Sequence, residues 1–140
     1  MMRLLPMSGS IAFLYCIAGA IVLVYVPFLL VAYARVNLGT EALATPRAIV
    51  DKLPAFAQRA TWAHQNGFES LMIFVPAALM AYITGVSSTL AVFAGLTYLV
   101  ARLLYSVFYI LNVPLLRSLM FAIATLCSGT LIVLSLDQAR

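Results

Sequence analysis

The sequence predicts an all-α integral membrane protein, a four-helix bundle built as a single domain over residues 1–140. Three observations predict this class: the length, the hydrophobic fraction and the scarcity of charge. Of the 140 residues, 65% are hydrophobic and only 9% are charged, whereas soluble domains average about 25% charged residues. So few charges cannot cover the outside of a soluble domain, and a disordered chain is excluded as well. At about 20 residues per span, the chain has room for four spans with short connections.

The first span is predicted over residues 11–33, in an uncharged stretch that ends at Arg35. Its apolar part is longer than the roughly 7–15 residues of a signal-peptide core, so we expect it to be retained. The segment from Arg35 to Arg59 carries most of the charged residues of the first half of the chain and two prolines. We therefore place this segment outside the bilayer.

Two breaks in the apolar sequence mark the remaining spans. The uncharged stretch 70–101 is too long for one span, and Gly85-Val86-Ser87-Ser88 interrupts it with turn-forming residues and a possible serine N-cap. A second break follows at Asn112-Val113-Pro114, where we expect Asn112 to cap a helix whose first turn contains Pro114. The predicted spans after the first are therefore about 62–84, 88–111 and 114–136.

The orientation follows from the distribution of lysine and arginine. The first connection contains Arg35, Arg47, Lys52 and Arg59, the third connection and its flanks contain Arg102 and Arg117, and the two ends contain only Arg3 and Arg140. The positive-inside rule places the first and third connections in the cytoplasm and both termini on the non-cytoplasmic side. These basic residues are few and dispersed, so nucleic-acid binding is not expected.

Two rows of polar residues lie at membrane depth. On the third span, a spacing of four, three and four places Tyr98, Arg102, Tyr105 and Tyr109 on one helical face. On the second, a spacing of three, four and three does the same for Arg59, Trp62, Asn66 and Glu69. Polar groups at this depth are costly and should face the interior of the bundle. If Glu69 is buried it needs a partner, and Arg102 is the cation at comparable depth.

These rows allow two interpretations. The simpler one is a structural pair of Glu69 with Arg102 that fixes the helix register. That pair leaves the tyrosines, Asn66 and Arg117-Ser118 unexplained, and together these groups predict a polar pocket open to the cytoplasmic face. Arg117 beside the free N–H groups of a helix start favours an anion, although Arg117 taken alone is more typical of a positive-inside anchor.

Other reactive residue types have structural interpretations. His64 has no second histidine, cysteine or carboxylate at ligand spacing, so we expect an interfacial or helix-contact residue and no metal site. Cys16 and Cys127 are interpreted as small apolar fillers. Two rows of small residues are suited to close helix packing: Ala12, Cys16 and Ala20 on the first span, and Ala91 with Gly95 on the third.

These motifs resemble the MAPEG family, the membrane-associated proteins in eicosanoid and glutathione metabolism, in particular its small bacterial members. The most specific segment is Arg59-Ala60-Thr61-Trp62-Ala63-His64-Gln65-Asn66-Gly67-Phe68-Glu69. It is followed by Arg102-Leu103-Leu104-Tyr105 with Tyr109, and then by Leu116-Arg117-Ser118. The order and spacing of these pieces extend the resemblance over most of the chain.

The resemblance implies a homotrimer that holds glutathione between subunits near the cytoplasmic face and acts as a transferase or peroxidase on lipophilic molecules. It implies that Asn66 and Glu69 contact glutathione, that Arg102, Tyr105 and Tyr109 line the pocket, and that Arg117 is catalytic beside the sulfur, next to Ser118. Arg35 would complete the site from the adjacent subunit. The implied location is the bacterial inner membrane.

Two other functions stay open at this point. Trp62 and Gln65 stand where active members of the family often carry another arginine, and a non-catalytic membrane scaffold would use the polar rows for assembly alone. A binder of another anionic amphiphile would use the same cations without glutathione.

Overall fold

The computed structural model describes residues 9–140, and this part of the chain is helical throughout, with no strand. The helices are α1 (Gly9–Leu38), α2 (Thr40–Ala44), α3 (Ala55–Ile83), α4 (Thr89–Ile110) and α5 (Pro114–Gln138), with a 3₁₀ turn at Val50–Lys52. Of these, α1, α3, α4 and α5 are long and apolar enough to cross a membrane. The predicted fold class is therefore confirmed, and the chain is a multi-pass membrane protein.

Helices α3 and α4 are the two central helices of the bundle, because each contacts all three of the other long helices. Helix α1 packs chiefly against α3, and α4 packs chiefly against α5. Helix α3 also contacts α4 and α5, whereas α1 and α5 do not touch within residues 9–140. Side chains on different sides of α3 therefore contact different helices, and the side on which a polar residue of α3 lies determines which helix it faces.

Small residues allow α1 and α4 to approach each other closely. Cys16 and Gly95 are both buried where the two helices meet. A Cβ atom added to Gly95 would lie 3.0 Å from the Cys16 Sγ, tighter than ordinary van der Waals contact. Packing of this kind is a main source of helix association in lipid, because the bilayer is as apolar as the helices themselves. One member of each predicted row of small residues, Cys16 and Gly95, thus packs against the other.

The ends of α3 and α4 share one capping motif. Gly85, at φ 73°, follows α3, and Asn112, at φ 59°, follows α4. The Val113 N–H donates to the Phe108 carbonyl at 2.9 Å and the Asn112 N–H to the Tyr109 carbonyl at 3.1 Å, the two bonds of a Schellman motif. Asn112 therefore ends α4, and the prediction that it caps α5 is wrong. Asparagine is common at a helix end because it tolerates the left-handed region, and it is common at a helix start because its side-chain oxygen accepts a backbone N–H, so the residue type alone did not separate the two positions.

The sequence predicted the start of α4 correctly and placed the start of α3 too late. Ser88 is the N-cap of α4, as predicted, and its hydroxyl accepts a hydrogen bond from the Ala91 N–H at 3.2 Å. Helix α3 begins at Ala55, about two turns before the predicted start at Trp62. The extended Pro54 precedes it, and the Pro54 carbonyl accepts from the Ala57 N–H at 2.8 Å. Hydropathy shows where the apolar residues of the span begin, whereas the helix itself begins directly after Pro54. Arg3, used to predict the orientation, lies outside the described residues, so the orientation stays a prediction.

Candidate functional site

An open cleft lies between α3, α4 and α5, beside the turn at Asn112. Its volume is ≈ 270 Å³, and it is lined by Asn66, Tyr105, Tyr109, Arg117, Ser118 and Phe121. Five of these six residues were singled out from the sequence as site residues. Residues from three helices therefore meet in one cavity, which we call the Arg117 cleft.

A more apolar groove adjoins the Arg117 cleft and shares Asn66 and Phe121 with it. This groove has a volume of ≈ 250 Å³ and is lined in addition by Glu69, Ser70, Ile73, Thr125 and Ser128. Sequence reasoning missed its α5 wall. The spacing of Arg117, Phe121, Thr125 and Ser128 at four, four and three residues places them on one helical face, which is the signal that could have found it. The two adjoining cavities are therefore polar beside Arg117 and more apolar along Ile73 and Phe121.

Asn66 connects Arg102 to Glu69. The Arg102 Nη1 donates to the Asn66 Oδ1 at 3.1 Å, and the Asn66 Nδ2 donates to the Glu69 Oε2 at 3.1 Å. Among the described side chains no carboxylate oxygen lies within 4 Å of Arg102, so the first of the two interpretations, a direct pair of Glu69 with Arg102, does not hold within this chain. The reason is geometric, because Arg102 is 5% exposed in the bundle interior whereas Glu69 points outward from α3. The amide, which both donates and accepts, spans the two.

Two arginines at this end of the bundle lie on tyrosine rings: Arg117, which lines the Arg117 cleft, and Arg102, which is buried and does not line it. The Arg102 Cζ is 4.2 Å from the centroid of Tyr105, and the Arg117 Cζ is 4.6 Å from the centroid of Tyr109. The two rings are arranged edge to face, with centroids 5.6 Å apart. Among the described side chains no carboxylate oxygen lies within 4 Å of either guanidinium, so neither arginine makes a direct ion pair there. An arginine stacked in this way keeps its in-plane N–H donors.

Tyr98 belongs to the core and does not line the Arg117 cleft. Its ring stacks on Phe74 with centroids 3.6 Å apart, and its hydroxyl shares a hydrogen bond with the Ser70 hydroxyl at 2.8 Å. Tyr98 is only 2% exposed. The tyrosine row of α4 therefore divides into a buried member that joins α4 to α3 and two members, Tyr105 and Tyr109, that form the site.

Arg35 lies on the other side of α3. Its Nη2 donates to the Pro46 carbonyl at 3.2 Å, while its Nε is buried without a hydrogen-bond partner among the described residues. It lines a cleft of ≈ 360 Å³ together with Phe28, Val31, Pro46, Arg47, Val50, Thr61, His64, Gln65 and Phe68. None of these residues lines the Arg117 cleft. The structure therefore does not bring Arg35 to the other site residues of the same chain.

His64 makes a helix contact, as predicted. Its Nδ1 lies 2.7 Å from the Val24 carbonyl oxygen, and since a carbonyl only accepts, the hydrogen sits on Nδ1. The close approach of α1 is possible because α3 has Gly67 at this level, where an added Cβ would lie 3.4 Å from Val24 Cγ2. His64 thus ties α3 to α1 beside the Arg35 cleft.

The fold and the site define a class of protein: a multi-pass helical membrane protein with a cationic, aromatic cleft at one end of the bundle. The family model described as the MAPEG family matches residues 12–136, nearly the whole chain. The chain therefore belongs to the MAPEG family, and the matched residues include all the candidate site residues from Arg35 to Ser118. Neither the comparison with curated proteins nor that with solved structures gave a match.

Proposed function

We propose that this protein is a glutathione-dependent transferase or peroxidase that acts on lipophilic electrophiles or hydroperoxides. The observation that carries the proposal is the convergence of Asn66, Tyr105, Tyr109, Arg117 and Ser118 on one open cleft, where Arg117 makes no ion pair with any described carboxylate. Membership of the MAPEG family supports glutathione as the thiol.

Arg117 favours the reactive form of the thiol. A free thiol has a pKa of about 8.5, so it is mostly protonated at neutral pH, and the thiolate is the nucleophile. Arg117 lies in the first turns of α5, where the positive end of the helix dipole adds to its own charge. In a transfer reaction the thiolate sulfur bonds to the electrophilic carbon. The electron pair of the bond that breaks leaves with the displaced group, or moves onto the conjugated acceptor in an addition, and that group takes up the proton lost by the thiol. In a peroxidase reaction two glutathione molecules give a disulfide, and the hydroperoxide becomes an alcohol and water.

The remaining residues of the site suit the rest of glutathione. Glu69 offers a carboxylate to the amino group, and Arg102 with Arg117 gives the site a net positive charge opposite the net negative charge of glutathione. Asn66 keeps Glu69 and Arg102 in place through its two hydrogen bonds. The adjoining apolar groove along Ile73, Thr125 and Ser128 offers a place for the lipophilic second substrate.

We further propose that the protein is a homotrimer in a bacterial inner membrane. Glu69 and Gln65 are exposed near the middle of α3 in the single chain, and exposed polar groups at membrane depth are costly. Neighbouring copies packed around α3 would cover them. In that assembly the Arg35 of one subunit would approach the Arg117 cleft of the next.

The test is glutathione binding to the purified protein in detergent or nanodiscs. We expect saturable binding by calorimetry and an ultraviolet thiolate absorbance that Arg117→Ala removes. Arg140→Ala is the matched control, because Arg140 is exposed at the far end of α5 and should change neither signal. An absence of saturable binding would contradict the proposal. Tight binding of a fatty acid without glutathione would favour the binder of an anionic amphiphile.

A further inference from the structure

The Arg117 guanidinium is held by an aromatic ring. Its Cζ lies 4.6 Å from the centroid of Tyr109, inside the roughly 6 Å range of a cation–π contact. Arg117 is only half-buried, and within residues 9–140 no carboxylate oxygen lies within 4 Å of it. A long, flexible side chain with no ion-pair partner is therefore ordered chiefly by the face of this ring.

The ring of Tyr109 is itself fixed from two sides. Tyr105 meets it edge to face, with centroids 5.6 Å apart and an interplanar angle of 69°. Trp62 of α3 lies on another side, with a centroid distance of 6.5 Å. The Tyr109 carbonyl also accepts the Asn112 N–H in the capping motif that ends α4. The same short turn thus positions the ring and the start of α5, from which Arg117 extends.

Stacking and ion pairing order an arginine with opposite consequences for a ligand. A carboxylate partner would occupy the in-plane N–H donors and cancel the charge, whereas a ring covers one face and leaves both the donors and the charge. We therefore propose that Tyr109 is a positioning residue whose aromatic ring, independently of its hydroxyl, holds Arg117 ready for a thiolate. This inference rests on the proposed function, and it identifies the Tyr109 ring as the group that orients the Arg117 guanidinium.

The first test measures the thiolate fraction of bound glutathione against pH, at saturating glutathione, by ultraviolet absorbance. Tyr109→Leu should raise the apparent pKa of the bound thiol and leave about two- to fivefold less thiolate at neutral pH, the range that a partly exposed cation–π contact supports. Tyr109→Phe keeps the ring and should restore most of the wild-type fraction. Tyr82→Leu is the control, because Tyr82 is exposed near the far end of α3.

The second test needs no glutathione. Arginine Nε–H signals are recorded by NMR on the unliganded protein, with Arg117→Lys to assign Arg117. A ring-current shift of Arg117 should appear in the wild type and in Tyr109→Phe, and it should disappear in Tyr109→Leu.

The outcomes separate this inference from the proposed function. Wild-type thiolate in Tyr109→Leu would overturn the inference, and so would a Phe variant as impaired as the Leu variant or an Arg117 signal without the ring-current shift. If the wild-type protein binds no glutathione, the proposed function fails, and the NMR experiment still decides whether Tyr109 holds Arg117.

Discussion

Two regions of this bundle differ in how closely their side chains pack. In the first, which we call the tight region, Cys16 of α1 lies against Gly95 of α4, and Phe74 stacks on Tyr98 with centroids 3.6 Å apart. In the second, the Arg117 cleft, polar side chains surround ≈ 270 Å³ of open space. The tight region fixes the relative positions of the helices, so the cleft can stay open and keep an unneutralised cation. Stability should therefore be sensitive to the first region and ligand binding to the second.

The largest loss of stability is expected from Gly95→Leu. The first added atom would already lie 3.0 Å from Cys16 Sγ, and overpacking of a close helix contact costs about 1–3 kcal/mol, occasionally more. Thermal unfolding in detergent measures the effect. Gly129→Leu is the matched control, because an added Cβ there meets no atom within 4 Å. Equal melting temperatures for the two variants would remove the distinction between the regions.

Asn66→Leu should have the next largest effect on stability, because Asn66 lines the cleft and also hydrogen-bonds the buried Arg102. It deprives the buried Arg102 of its hydrogen-bond acceptor, and an unsatisfied buried polar group costs about 1–3 kcal/mol, more when it is charged. The double variant Asn66→Leu/Arg102→Leu removes the stranded charge and should recover part of the loss. A double-mutant cycle on unfolding measures this coupling. Purely additive losses would show that Asn66 does not support Arg102.

Tyr98→Phe should cost less, about 0.5–1.5 kcal/mol. The substitution keeps the stack on Phe74 and removes only the hydrogen bond with Ser70, whose length is 2.8 Å. Ser70→Ala should cost a similar amount, and the double variant should cost little more than either one. Tyr82→Phe, at an exposed tyrosine of the same bundle, provides the baseline. A loss in Tyr98→Phe no larger than this baseline would show that the hydroxyl pair is not stabilising.

The small-residue rows of the tight region and five of the six cleft residues were singled out from the sequence, whereas the hydrogen-bond partners of Asn66 and Tyr98 were not, for a physical reason. Helical spacing shows which residues share a face, and this sufficed for the small-residue rows and for placing Tyr105 beside Tyr109. Arg117 lies on the next helix, and its place just after the turn at the same end of the bundle assigned it to the site. Spacing does not give the rotation of one helix against another. It therefore could not show that Asn66 intervenes between the two charges or that Tyr98 faces Ser70. The Arg35 cleft depends on the connection between α1 and α3, which has no periodicity to interpret.

The smallest effect on stability is expected from Arg117→Ala, and this variant separates the two regions most clearly. Arg117 is half-buried and has no carboxylate within 4 Å in the described chain, so its removal strands no charge. The loss of its contact with Tyr109 should cost about 0.5–1 kcal/mol at most. Thermal unfolding should be nearly that of the wild type, while the thiolate absorbance with glutathione should vanish. A destabilisation as large as that of Asn66→Leu would show that Arg117 supports the fold of the bundle. It would contradict the interpretation of Arg117 as a cation that is available to a ligand.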